Sequence, residues 1–199
     1  MKTISIIESF HKPCNNKYWL TFFMSGIFIV LNSCNQYRLK NNIEKLYKQE
    51  IALPNNMMSF EGERIQILDF SEKKPRIVIW YDSTECGLCK LHTLPIYQDI
   101  EEYCRTLTCT IDIVFLFSPT RETVSQLCEE APSNTKLHDY PIYIDTANMF
   151  AKLNPCIPEN KLMHSFLLDA TNHVVLVGSP IQNQAMFDLY KKTIDEMLN

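Results

Sequence analysis

The chain has 199 residues, 46% hydrophobic and 21% charged, with 4 glycines and 10 prolines, the balance of one ordinary globular domain, which excludes low-complexity and collagen-like character. A formal net charge of −4 without any long basic run is the wrong electrostatic footprint for a nucleic-acid partner. Eight cysteines are too many to be incidental and, in a chain this long, too few for a small disulfide-stapled scaffold.

The N-terminus, MKTISIIESFHKPCNNKYWL, carries Lys2, Lys12 and Lys17 against Glu8. The apolar stretch 18–31 (YWLTFFMSGIFIVL) follows and is shorter than the roughly 20 residues of a spanning helix. A charged lead, a short apolar run and then small or polar residues form the pattern of a secretory signal. Next stands Leu31-Asn32-Ser33-Cys34, which resembles a bacterial lipobox. That resemblance implies cleavage before Cys34 and lipidation of its thiol; a signal anchor kept as a short membrane helix is the alternative. On the first reading 1–33 is a lipoprotein signal peptide, 34–62 a lipidated tether with a short helix, and 63–199 the folded domain. The chain is then held at a membrane of the cell envelope, on the outer membrane or the periplasmic face. Cys86, Cys89, Cys104, Cys109, Cys128 and Cys156 remain, outside the reducing cytosol, where disulfides persist. Six thiols allow 15 complete pairings, which sequence leaves open.

Along the remaining chain, 35–50 is polar with Leu39, Ile43 and Leu46 at helical spacing. Turn chemistry at 52–56 (ALPNN) ends that stretch. Residues 64–70 (RIQILDF) alternate as a half-buried strand does, and 76–82 (RIVIWYD) form a β-branched and aromatic run suited to burial on both faces. The pattern then turns helical over 86–104, with a kink expected at Pro95, which removes a backbone donor. A second buried strand is predicted at 111–117 (IDIVFLF), a helix from Ser118 to Glu130, a strand at 140–145 (YPIYID) and a short helix at 146–153. Two close strands, 165–169 (SFLLD) and 173–178 (HVVLVG), are joined by Ala170-Thr171-Asn172, a hairpin signal. An amphipathic helix closes the chain at 183–198. The order β-β-α-β-α-β-α-β-β-α implies an α/β fold: a mixed central sheet, parallel in its middle, with helices on both faces, a late β-hairpin and a C-terminal helix.

Thr84-Glu85-Cys86-Gly87-Leu88-Cys89-Lys90 contains a C-x-x-C. Its context is informative, since the pair follows a buried strand and opens a helix. Free backbone N–H groups there favour a thiolate on Cys86, and Cys89, one turn on, is within disulfide reach. An exposed first thiol that attacks and a buried second thiol that resolves is what disulfide exchange requires. Among the neighbours, Glu85 opposes thiolate formation at Cys86 and Lys90 favours it.

Strand, CGLC, long helix, strand, helix, strand, hairpin and C-terminal helix together resemble a thioredoxin-like domain, and the lipoprotein context resembles the TlpA-type and AhpC/TSA-like branch of Gram-negative envelopes. The stretch HSFLLDATNHVVLVGSP is similar to the late hairpin of that branch. The resemblance implies a thiol–disulfide oxidoreductase with Cys86 attacking and Cys89 resolving, no cofactor, envelope protein thiols and disulfides as partners, and an external electron donor. Four positions depart from the pattern: Glu85 stands where tryptophan is usual, Trp80 where thioredoxin buries an acid, Met163, followed by His164, where the cis-proline loop is expected, and Pro95 one residue later than the helix proline. Glu85, Met163 and the extra cysteines motivate a rival, a redox-inactive thioredoxin-fold binding module.

Other constellations are weaker. Cys86, Cys89 and His92 on one helical face, completed by His164 or His173, resemble the soft-metal set of Sco-like copper proteins, which place one more residue between their cysteines. A peroxiredoxin-like reading would use Ser83 and Arg121, but its proline position holds Ile79. The reading adopted assigns no metal. Cys104 and Cys109 either close a small loop or pack as separate apolar thiols, and Cys128 and Cys156 receive no catalytic role. Phe115, Phe117, Tyr143, Phe166 and Phe187 fall on core-facing patterns.

Overall fold

The computed structural model describes residues 36–55, 57–61, 64–68, 70–107, 111–134, 137 and 140–198. The signal and lipidation readings at 1–33 and Cys34, and the thiol of Cys109, lie outside these residues. The chain divides into two compact units, 1–41 and 42–199. Of the first, the described part is helical, the start of α1 (36–46). The second holds the whole sheet.

That sheet has seven strands: β1 (Met57–Glu61), β2 (Arg64–Leu68), β3 (Arg76–Tyr81), β4 (Asp112–Phe117), β5 (Ile142–Ile144), β6 (Ser165–Leu168) and β7 (Val174–Val177). The order across it is β2-β1-β5-β4-β3-β6-β7. β3, β4 and β5 run parallel. The β1–β2 hairpin adds antiparallel strands on the β5 side and the β6–β7 hairpin on the β3 side. The expected mixed α/β sheet is therefore present, with one strand more than sequence reading found. β1 (MMSFE) has neither a β-branched run nor clean alternation, and pairing with β5 and β2 supplies what local preference does not.

β3 is buried along its whole length, as its unbroken apolar run requires. Its side chains alternate between two layers. Ile77, Ile79 and Tyr81 join Phe115, Phe117, Leu91, Leu94, Leu127, Tyr190 and Ile194 in one cluster under the helices α2 (Gly87–Leu91), α3 (Gln98–Arg105), α4 (Val124–Ser133) and α6 (Gln184–Leu198). On the other face, Trp80 meets Phe150 of α5 (Met149–Leu153) and the ring of His164. Leu46, Ile51 and Leu53 are also buried. Their segment is tied to the hairpin by Lys48 N–H to Val174 O and Ile51 N–H to Asn172 O, both 2.9 Å.

Two helix expectations are corrected. The single kinked helix over 86–104 is broken into α2, a 3-10 turn at Leu94–Tyr97, and α3. Thr93 caps the break by hydrogen-bonding Lys90 O through both N–H and Oγ1, and Pro95, without an N–H, opens the turn. Buried positions Leu91, Leu94, Tyr97 and Ile100 recur every three residues through the break, the eclipsed spacing of 3-10 geometry. The helix expected from Ser118 begins only at Val124, because Ser118 continues the strand, donating its N–H to Tyr81 O at 2.9 Å.

Candidate functional site

The C-x-x-C stands at the C-terminal end of central strand β3. Asp82 Oδ1 accepts from Thr84 N–H (2.8 Å) and Thr84 Oγ1 (2.7 Å), a side-chain-closed turn that aims the chain away from the sheet. Cys86 caps α2. Cys86 and Cys89 form a disulfide with Cα atoms 5.3 Å apart, and Cys89 N–H donates to Cys86 Sγ at 3.3 Å. Both cysteines are exposed, which corrects the expectation of a buried second thiol. The helix is only five residues long, so the second cysteine lies in its single exposed turn and not under a following one.

Glu85 and Lys90, read as opposing influences on Cys86, are partners: Lys90 Nζ lies 3.1 Å from Glu85 Oε1 and 5.5 Å from the centre of the Tyr81 ring. Gly87 has a packing reason, since a Cβ there would stand 3.0 Å from Leu127 Cδ1. The absence of a side chain lets α4 close on α2.

Beneath the loop, Trp80 donates from Nε1 to Ser118 Oγ at 3.0 Å. Tyr81, buried beside Tyr97, is held in its neutral form, first by burial and then by Tyr97. Met163 and His164 lie at the entry to β6: Met163 is buried, and His164 O accepts from Trp80 N–H at 2.8 Å. The described peptide bonds are all trans. Sequence reading missed Lys161, whose ammonium bonds Asp82 Oδ2 and, at 2.5 Å, Thr84 Oγ1. This strap joins the loop before β6 to the loop before Cys86. No local signal marks it, because its ends are 79 residues apart in sequence.

Asp82 is held below the ordinary carboxylate range; burial works against this, but the Lys161 and Thr84 hydrogen bonds outweigh it. His164 is pushed below the ordinary histidine value mainly by burial. His92 stays exposed on the surface, 3.7 Å from Glu130, and among the described residues no group of three or more His, Cys, Asp or Glu side chains is arranged to hold a metal ion. Ile79 is a buried strand residue and Arg121 is exposed. Cys104 is a free, buried thiol, not half of a loop disulfide. Burial, with Glu101 nearby, pushes its pKa up to about 12. Cys128 and Cys156 are also free.

A scan of protein-family models finds no match, and no curated protein matches either. Solved structures do. A thioredoxin-like protein in its oxidised form superposes with a TM-score of 0.50 at 16% identity, covering 77% of this chain and 99% of that one. The chain has a thioredoxin-like fold. A thioredoxin-like protein of Porphyromonas gingivalis matches at 17% identity and TM-score 0.45, over 76% of this chain and 94% of that one. The exposed lipoprotein thioredoxin of Streptococcus pneumoniae matches at 13% and 0.46, over 68% and 98%.

Proposed function

We propose that the protein is a lipid-anchored thiol–disulfide oxidoreductase of the cell envelope. The observation that carries this is a disulfide between two exposed cysteines, placed just after the C-terminal end of the interior strand β3 of a thioredoxin-like fold. Burying a disulfide would protect it, whereas exposing one makes it available to a partner's thiolate.

In the oxidised direction, a partner thiolate attacks Cys86 Sγ and the Cys86–Cys89 bond breaks. Cys89 leaves as a thiolate and takes a proton from solvent. A second partner thiolate then attacks the partner's own sulfur in the mixed disulfide and releases Cys86. The partner loses two electrons and the pair gains them. In the reducing direction Cys86 attacks and Cys89 resolves, and an external electron donor must recharge the pair. Cys34 supplies the membrane anchor in this reading. Among the described residues no helix is long and apolar enough to cross a membrane.

The test is a Cys89→Ser chain expressed in a bacterial envelope and quenched with acid. Exchange predicts disulfide-linked adducts through Cys86 that dissolve on reduction and are absent from Cys86→Ser/Cys89→Ser; no adduct at any growth stage overturns the proposal. The binding-module reading is favoured by the Glu85–Lys90 pairing and the buried Met163. It requires the double variant to keep its partner and phenotype.

A further inference from the structure

His164 is only 3% exposed and stacks on Trp80, ring centres 4.3 Å apart. Its Nε2 lies 2.9 Å from Pro158 O. A carbonyl oxygen only accepts, so Nε2 carries the hydrogen, and in the neutral ring Nδ1 is left as a bare lone pair. That Nδ1 is buried with no hydrogen-bond partner. It faces Asp82 Oδ2 at 3.9 Å, an ionised oxygen that also only accepts. Two acceptors thus face each other with no proton between them. The same Oδ2 is the atom Lys161 holds, while Lys161 Nζ also holds Thr84 Oγ1, two residues before Cys86.

We infer that His164 is a titrating positioning residue of the exchange site: on gaining a proton at Nδ1 it takes Asp82 Oδ2 from Lys161 and releases the loop that leads into Cys86. The proton comes from solvent, and no covalent bond other than the new N–H is made or broken. Protonation turns Nδ1 from acceptor to donor, aimed at an oxygen already ionised, and sets an imidazolium beside the Lys161 ammonium. The charged groups facing His164 are Asp82 at the end of β3, Lys161 in the preceding turn and Glu85 in the CGLC loop. The two carboxylates favour the protonated ring; burial and Lys161 oppose it. The protein therefore holds His164 neutral at neutral pH and the strap closed, and mild acid opens it. This deepens the exchange reading and rests on it for its biological meaning, but the loop chemistry can be measured whether or not exchange occurs.

The experiment reduces the oxidised full chain with a water-soluble trialkylphosphine between pH 5 and pH 8, comparing wild type with His164→Gln, Lys161→Met and Lys161→Arg. Gln keeps the donor to Pro158 and cannot titrate. The ratio of wild-type to His164→Gln rates cancels the reagent's own ionisation. It should rise on acidification by about threefold, the factor corresponding to a partly exposed ion pair, with a midpoint below 6.5, the ordinary histidine value. Lys161→Met should be fast throughout and lack the step, and Lys161→Arg should restore it. A flat ratio, or a step surviving in Lys161→Met, overturns the inference. Should His164→Gln not fold, the wild type alone decides by NMR. The Thr84 amide, which donates to Asp82 Oδ1, must titrate with the His164 ring, and separate midpoints overturn the inference. A step in the rate ratio without any adduct in the Cys89→Ser trap would sink the exchange reading and leave the strap standing.

Discussion

Asn154 is the position at which the fold is most economically tested. Its side chain is 3% exposed and makes three hydrogen bonds of 2.8 Å: Oδ1 accepts from Ala52 N–H, and Nδ2 donates to Ala52 O and Phe150 O. One amide thereby closes the end of α5 and fastens the 50–53 segment to the Trp80 face of the sheet. Each such bond contributes about 1 kcal/mol net. Ala52 is exposed, so water takes over part of the loss at its two groups. Asn154→Ala should therefore cost about 2 kcal/mol, less than the full sum of three bonds. At roughly 2–4 °C per kcal/mol for a domain of this size, Tm falls by about 4–8 °C. Asn154→Asp should be worse despite near-identical shape, because it keeps the acceptor for Ala52 N–H and aims an anion at two carbonyls that need donors. Thermal melting of the disulfide-closed protein measures the loss, and hydrogen exchange at the Ala52 amide locates it. An Asn154→Ala protein that melts with wild type and keeps protection at the Ala52 amide, or an Asn154→Asp change milder than Asn154→Ala, would refute this role for the amide.

Two further outcomes follow from the titrating groups. The folded His164 pKa is depressed, so the unfolded chain binds the proton more readily; its contribution to stability is whole above about pH 6.5 and is lost as pH falls from there toward the folded value. Asp82 is depressed likewise, with a window lower, starting near the ordinary carboxylate value of about 4. Urea midpoints at pH 7.5 and pH 5.5 should thus fall further for wild type than for His164→Gln, and equal losses would refute the assignment. In the native, oxidised protein at pH 8, iodoacetamide should modify exposed Cys156 readily and leave Cys104 untouched, since its buried thiol has a pKa of about 12. Peptide mass mapping reads both, and comparable labelling of Cys104 and Cys156 would show that α3 opens far more than its packing implies.

The sequence by itself determined the elements whose reasons are local. β3 and β4 were legible as unbroken apolar runs, the β6–β7 hairpin through Ala170-Thr171-Asn172, and α6 through its period, because each pattern is complete within a few residues. Asn172 adopts φ 63° at that turn, a conformation asparagine tolerates. The placement of Cys86 and Cys89 after a buried strand followed from the same signals. What the chain needs distant partners to decide was not legible. β1 exists because β5 and β2 flank it, and the break after α2 depends on how Leu91, Leu94 and Tyr97 meet the sheet as well as on Pro95. The exposure of Cys89 comes from the shortness of α2. Lys161 and Asp82 meet only because β3 and β6 are neighbours, and His164 acquires an unpaired nitrogen only because the fold buries it between Trp80 and Asp82. Propensity and periodicity act over one or two turns of chain, whereas burial, charge pairing and hydrogen-bond satisfaction are properties of the assembled sheet, and the environment of the Cys86–Cys89 pair belongs to the second kind.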